Sequence, residues 1–182
     1  MKTFKKSMLI VLIVMTFFVV ALIGIFFLSY KTLYLSVVKT FATQNNVDVS
    51  LVMAVIKAES KFDANAKSKA NAIGLMQIKL ETANYMLSLS GQTEITESEL
   101  FDPQTNIELG TRYIKYLLDK FENVQVCICA YNAGETVVSE WLKDENYSSD
   151  GKTLKKIPFA ETNTYLKKVM QNYRVYKNFL KV

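Results

Sequence analysis

Histidine is absent from all 182 residues of the chain. That removes Ser-His and Cys-His nucleophilic catalysis and any zinc site that needs an imidazole. Cysteine is nearly as scarce. Cys127 and Cys129 lie two apart in an expected helix, so they point in different directions and are poorly placed to bond to each other. They read as small buried hydrophobes. No long run alternates apolar with polar residues, and no internal repeat is visible, so a mainly α chain is expected. Charge is missing from one long stretch, Met8 to Leu28, and no acid precedes position 31.

That uncharged stretch is 21 residues long, enough at 1.5 Å per residue to cross a bilayer as a helix. Lys2, Lys5 and Lys6 precede it, which by the positive-inside tendency keeps the tip in the cytoplasm and sends the rest outside. The rival is a cleaved signal peptide. The run is longer than the usual apolar core of such peptides, and no clean A-x-A site follows, so an uncleaved anchor is preferred. The expected organisation is therefore a basic tip and transmembrane anchor over 1–30, then one domain over 31–182. Three of the net +5 charges sit in the tip, which leaves +2 on 31–182. Scattered lysines at that density are not a nucleic-acid footprint. No metal and no cofactor is expected.

Along the domain, 31–43 has a helical stripe of Leu33, Val37, Val38 and Phe41, and Asp48 or Ser50 can cap the helix that follows. Residues 63–72 are small and polar and read as a loop, and 81–90 as a helix closed by Gly91. A polar link over 92–99 leads to Asp102-Pro103, an N-cap followed by proline at the first helical position. Gly110 falls inside the apolar stripe of that helix, which suggests close approach of another backbone. Val124 to Ala133 is apolar almost all round and reads as the central buried helix. A short segment around Trp141, a polar loop over 143–152 and a helix from about Glu161 complete the chain.

One residue breaks the apolar logic. Leu51, Val52, Val55 and Ile56 form a helical stripe, and four positions after Val55 the stripe continues as Glu59. A carboxylate there meets desolvation and the negative end of the helix dipole, and both disfavour its charged form. A carboxylic acid kept protonated near neutral pH is what general acid catalysis needs. The plainer alternative is a solvated acid near a helix end, with Lys57 or Lys61 beside it.

Five segments stand in order: Glu59-Ser60-x-Phe62, Gly74-Leu75-Met76-Gln77-Ile78, Asn106-x-x-x-Gly110-x-x-Tyr113, Ala130-Tyr131-Asn132-Ala133-Gly134, and Ile157-Pro158-Phe159-x-Glu161-Thr162-x-x-Tyr165. Each alone is weak. Together, over about residues 33–180, they resemble the catalytic domain of lytic transglycosylases of the soluble type, with a goose-lysozyme-like fold. The resemblance implies a mainly α, lysozyme-like domain, and the uncharged stretch before it adds one expected N-terminal transmembrane helix. It also implies cleavage of the β-1,4 bond between N-acetylmuramic acid and N-acetylglucosamine in peptidoglycan glycan strands, leaving 1,6-anhydro ends.

By resemblance, Glu59 takes the position of the glutamate that acts as acid and then base. Ser68 matches a serine that contacts the acetamido group, and Gln77 a glutamine lining the cleft. Tyr131 and Asn132 would reach a sugar or hold the glutamate, and Glu161 matches an acid at the cleft. Each has a plainer role open to it: loop serine, turn glutamine, core tyrosine and asparagine with internal partners, and helix-start charge. Leu80, Lys79 and Asn163 depart from the family's usual Pro, Met and Arg, which bears on subsite preference. The rivals are a muramidase that uses water at the same site and a non-catalytic wall-binding scaffold.

Overall fold

The computed structural model describes residues 12–24, 30 and 32–180. The chain divides into two compact units, residues 1–32 and Leu33–Val182. In the first, residues 12–24 form helix α1, whose large apolar side chains are exposed. The expected span over 8–28 runs past both ends of α1, so its outer parts lie outside the described residues. Among the described residues, no helix is long and apolar enough to cross a membrane.

The second unit is helical apart from one small hairpin. Its elements are α2 (Leu35–Gln44), α3 (Val49–Glu59), β1 (Ala72–Ile73), β2 (Ile78–Lys79), α4 (Leu80–Ser88), α5 (Glu97–Leu100), α6 (Pro103–Phe121), α7 (Val124–Ala133), α8 (Glu135–Lys143) and α9 (Ala160–Leu180). Helix α3 packs against α2 and α9, and α7 against α6, α8 and α9. Residues Leu51 to Ile56 are all buried, so α3 is covered on every side, more than its stripe implies. α7 is the buried helix expected, with Val126 to Ala130 inside. Both cysteines on it are free, and burial pushes their thiols up to about 12, which leaves them unreactive near neutral pH.

The caps explain several boundaries. Asp48, not Ser50, caps α3, accepting from Ser50 N at 2.8 Å. Asp102 caps α6 through Thr105 N, with Pro103 at the first helical position as expected. α2 begins at Leu35 rather than at 31, because Tyr34 sits at φ 64 and cannot continue a right-handed helix. The polar link over 92–99 holds a short helix that periodicity misses. Thr96 and Glu99 form a reciprocal capping box that starts α5.

Beneath the hairpin a second apolar cluster gathers Ile73, Ile78, Met86, Leu87, Leu100 and Leu109. The Gly110 expectation needs correcting. A Cβ at Gly110 would lie 2.5 Å from the Met76 sulfur, so the close neighbour is a buried side chain rather than a backbone. The glycine makes room for the segment that follows Gly74.

Candidate active site

The end of α3 sets the site. Ser60 caps the helix, and its hydroxyl accepts from Phe62 N at 3.1 Å and donates to Leu75 O at 2.8 Å. Lys61 and Phe62 both take left-handed φ values, 54° and 71°, which disfavours any residue with a Cβ. Burial of the Phe62 ring, 6 % exposed, offsets that strain. The chain thus turns sharply directly after Glu59 and starts the loop that returns through 63–77.

That loop is held by its own polar side chains. Ser68 Oγ accepts from Ala72 N at 3.0 Å. The Gln77 amide donates to Ala66 O and Gly74 O at 3.0 and 2.9 Å, from a backbone at φ 46. Beneath them, fully buried Asn106 accepts from Met76 N at 2.8 Å and donates to Ile73 O and Leu100 O at 2.9 and 3.0 Å. A Cβ on Gly74, whose φ is 72°, would fall 2.5 Å from the Asn106 amide nitrogen. One asparagine therefore anchors the hairpin and the start of α6 together. Ser68 and Gln77, expected at the cleft, both have polar groups committed to loop closure.

Glu59 is the last residue of α3 and is half-buried. The Tyr165 hydroxyl, from α9, donates to its Oε1 at 2.6 Å. Lys168, one turn further along α9, donates to the carbonyl of Ala58 and leaves the carboxylate to Tyr165. Burial pushes Glu59 up to about 7; the Tyr165 hydroxyl and the Lys168 charge pull the other way and offset only part of it. The Tyr131 hydroxyl donates to Met76 O at 2.8 Å, and its ring lies 5.3 Å from that of Tyr113. Burial first, then the charge of Glu59, lifts both the Tyr131 and the Tyr165 phenols well above their usual range, so both stay hydrogen-bond donors.

Asn132 and Glu161 sit to one side of this group. Thr162 Oγ1 donates to Asn132 Oδ1 at 2.7 Å and ties α7 to α9. Both residues line a cleft of about 530 Å³, together with Ala133, Pro158 and Phe159. Glu161 is exposed at the first turn of α9. Glu59, Tyr131 and Tyr165 are thus brought together. No hydrogen bond among the described residues joins Glu59 to Ser68, Gln77, Asn132 or Glu161.

The architecture has close counterparts. The model of the transglycosylase SLT domain matches residues 36–154. The chain belongs to the transglycosylase SLT family. The soluble lytic murein transglycosylase of Escherichia coli K12 is 34 % identical over 158 residues, which is 84 % of this chain and 24 % of that protein. The membrane-bound lytic murein transglycosylase C of Yersinia pestis is 32 % identical, over 79 % of this chain and 47 % of its own length. Among solved structures, an inactive mutant of lytic transglycosylase Slt from Pseudomonas aeruginosa superposes with a TM-score of 0.73 at 27 % identity, over 84 % of this chain and 25 % of that one.

The 70-kDa soluble lytic transglycosylase in complex with bulgecin A gives 0.74 at 29 % identity, over 83 % and 25 % of the two chains. The mainly helical, lysozyme-like SLT fold is thereby shown. This chain spans about a quarter of the length of its soluble relatives. The family match ends at residue 154, so α9, which supplies Tyr165 and Lys168, lies beyond it.

Proposed function

We propose that the chain is a membrane-anchored lytic transglycosylase that cleaves the β-1,4 bond between N-acetylmuramic acid and N-acetylglucosamine in peptidoglycan. The observation that carries this reading is the environment of Glu59. Besides burial, the groups acting on it are the Tyr165 hydroxyl and the Lys168 charge, and neither is a carboxylate. Most glycosidases work with a pair of acids at a defined separation, whereas a single acid calls on the substrate to supply the second group. A pKa of about 7 suits one residue that must give a proton and then take one.

In this mechanism protonated Glu59 gives its proton to the glycosidic oxygen as the C1–O bond breaks. The muramic 2-acetamido oxygen attacks C1 and forms a cyclic oxazolinium ion. The Glu59 carboxylate then takes the proton of the C6 hydroxyl, and O6 attacks C1 and displaces the acetamido oxygen. A 1,6-anhydro ring closes, no water is consumed, and Glu59 is protonated again. Tyr165 holds Oε1 of the carboxylate throughout. Tyr131, fixed at Met76 O, borders the acid on the α7 side. Ser68 and Gln77 contribute by shaping the loop that they close and by lining its cleft side, and Asn132 and Glu161 receive the strand alongside.

The uncharged stretch over 8–28 would anchor the enzyme with its domain on the wall-facing side of the cell membrane. The membrane-bound relatives are consistent with such a placement. Product analysis tests the whole reading. Full-length chain in detergent is incubated with purified peptidoglycan beside Glu59→Gln, and the released fragments are weighed by mass spectrometry. Anhydro-muropeptides, lighter by one water than reducing-end products and absent from the variant, are expected. Reducing-end products would make the chain a muramidase. Binding without release by either protein would leave a scaffold.

A further inference from the structure

Phe159 is 51 % exposed in an ordered segment. It is not loose. Pro158 fixes the backbone before it, and its own carbonyl accepts from Asn163 N at 3.0 Å, closing the first turn of α9. Its ring meets Trp141 edge to face, with centroids 4.9 Å apart and planes at 86°. Trp141 comes from α8 and is itself buried, 6 % exposed. A rigid aromatic side chain is thus held half open on the wall of the Asn132–Glu161 cleft.

The rest of that wall is polar. Thr162 occupies the Asn132 carbonyl oxygen, while the Asn132 amide hydrogens and the Glu161 carboxylate have no hydrogen-bond or ion-pair partner among the described residues. Such a lining matches one ligand class well. A β-linked glucosamine pyranose carries its axial C–H bonds on its faces and its hydroxyl and acetamido groups around its edge. The C–H face suits the negative face of an aromatic ring, and the edge suits amide and carboxylate partners. Phe159 directly precedes α9 and lies six residues before Tyr165, so a sugar at Phe159 is nearly two helical turns along α9 from the Glu59 partner.

We propose that Phe159, braced by Trp141, is a stacking platform for one N-acetylated pyranose ring of the bound glycan, with Asn132 and Glu161 taking its edge. The assignment rests on the peptidoglycan reading above and adds to it a specificity-determining residue outside the Glu59 group. It also comes with its own reporter, because Trp141 is the one tryptophan in the sequence. A sugar that settles on Phe159 changes the surroundings of the ring against which Trp141 packs.

The test uses full-length Glu59→Gln in detergent, titrated with chitotetraose, the β-1,4-linked N-acetylglucosamine tetramer. Trp141 emission and calorimetry are followed together. A saturable emission change is expected. Adding Phe159→Leu, which keeps apolar volume but removes the ring, should weaken Kd roughly three- to tenfold and abolish the emission change at unchanged helical circular dichroism. Phe159→Tyr should restore affinity to within about twofold. Unchanged Kd in Phe159→Leu, while the wild-type chain still releases muropeptides, would overturn the platform alone. A parent that binds neither the tetramer nor peptidoglycan, with a wild-type chain that releases nothing, would overturn the peptidoglycan reading and the platform with it.

Discussion

Helix α3 carries an acid at each end, and α9, running antiparallel beside it, brings a tyrosine and a lysine to both. At the start, Asp48 accepts from the Tyr173 hydroxyl at 2.7 Å and from Lys177 at 3.1 Å. At the finish, Glu59 accepts from the Tyr165 hydroxyl at 2.6 Å, but Lys168 turns aside to the Ala58 carbonyl. The outcomes are opposite. Burial alone would raise Asp48, yet Tyr173, Lys177 and the Ser50 amide outweigh it and hold the carboxyl below its ordinary range. Burial dominates at Glu59 and takes it up to about 7.

The same three residue types therefore make a structural latch at one end and a protonatable acid at the other. Two differences account for this. Asp48 faces the positive end of the helix dipole and a backbone donor, while Glu59 sits at the negative end with neither. And the lysine is spent on the carboxylate at one end and on a helix-terminal carbonyl at the other. Glu59 stays charge-poor because burial outweighs both the Tyr165 hydroxyl and the Lys168 charge, whose ammonium is bonded to the Ala58 carbonyl.

The largest effect expected from breaking this contrast is on catalysis. Glu59→Gln should lower peptidoglycan release by about 10²–10⁴-fold, the usual worth of a general acid, while Asp48→Asn should leave the rate within a few-fold. Stability should move the opposite way. With the folded carboxyl titrating near 7 and the unfolded one near 4.5, wild-type stability falls as pH rises through that window. Glu59→Gln escapes this loss, so at pH 8 it should be more stable by about 2–3 kcal/mol in urea unfolding, with the gap closing below about pH 4.5. Equal stability of the two proteins at pH 8 would mean that Glu59 is not held neutral by the fold.

At the other end, Asp48→Ala should cost about 1–2 kcal/mol at pH 7 by removing the cap and both bonds to α9. Since the folded carboxyl is held low, that contribution should be lost as pH falls below about 4, where a denaturation series would show wild type and variant converging. The smallest effect sharpens the comparison most. Tyr165→Phe removes a hydrogen bond that lowers the Glu59 pKa, so the alkaline limb of the pH–rate profile should move to higher pH as the rate drops. Tyr173→Phe should leave that profile in place and cost about 1 kcal/mol of stability.

Much of this was legible in the chain itself, and the reasons separate cleanly. The position of Glu59 at the end of an apolar run, the Asp102-Pro103 start of α6 and the buried α7 all follow from local periodicity and capping, which need no knowledge of the fold. The partner of Glu59 does not. Tyr165 is 106 residues away, and its place at the end of the fifth segment does not say that it bonds Glu59. Lys168 likewise reads as an exposed charge until α9 is laid against α3. Gly110 signalled a close approach correctly, but a glycine says that space is needed without saying for what. Met76 fills it. The two-residue strands of the hairpin are too short to leave an alternation. Asn106, which fixes them to α6, gives no sign of burial in a sequence where asparagine usually marks a surface.

The central claim is that Glu59 still holds its proton in about half of the molecules near pH 7 while the other end of its helix is ionised. Carbon-13 NMR of the carboxyl groups in glutamate-labelled chain reads this directly, with Glu59→Gln run alongside to assign the one resonance that disappears. That resonance should titrate at about 7. A midpoint at the ordinary glutamate value near 4.5 would contradict the account, because a residue ionised at neutral pH has no proton to give the glycosidic oxygen.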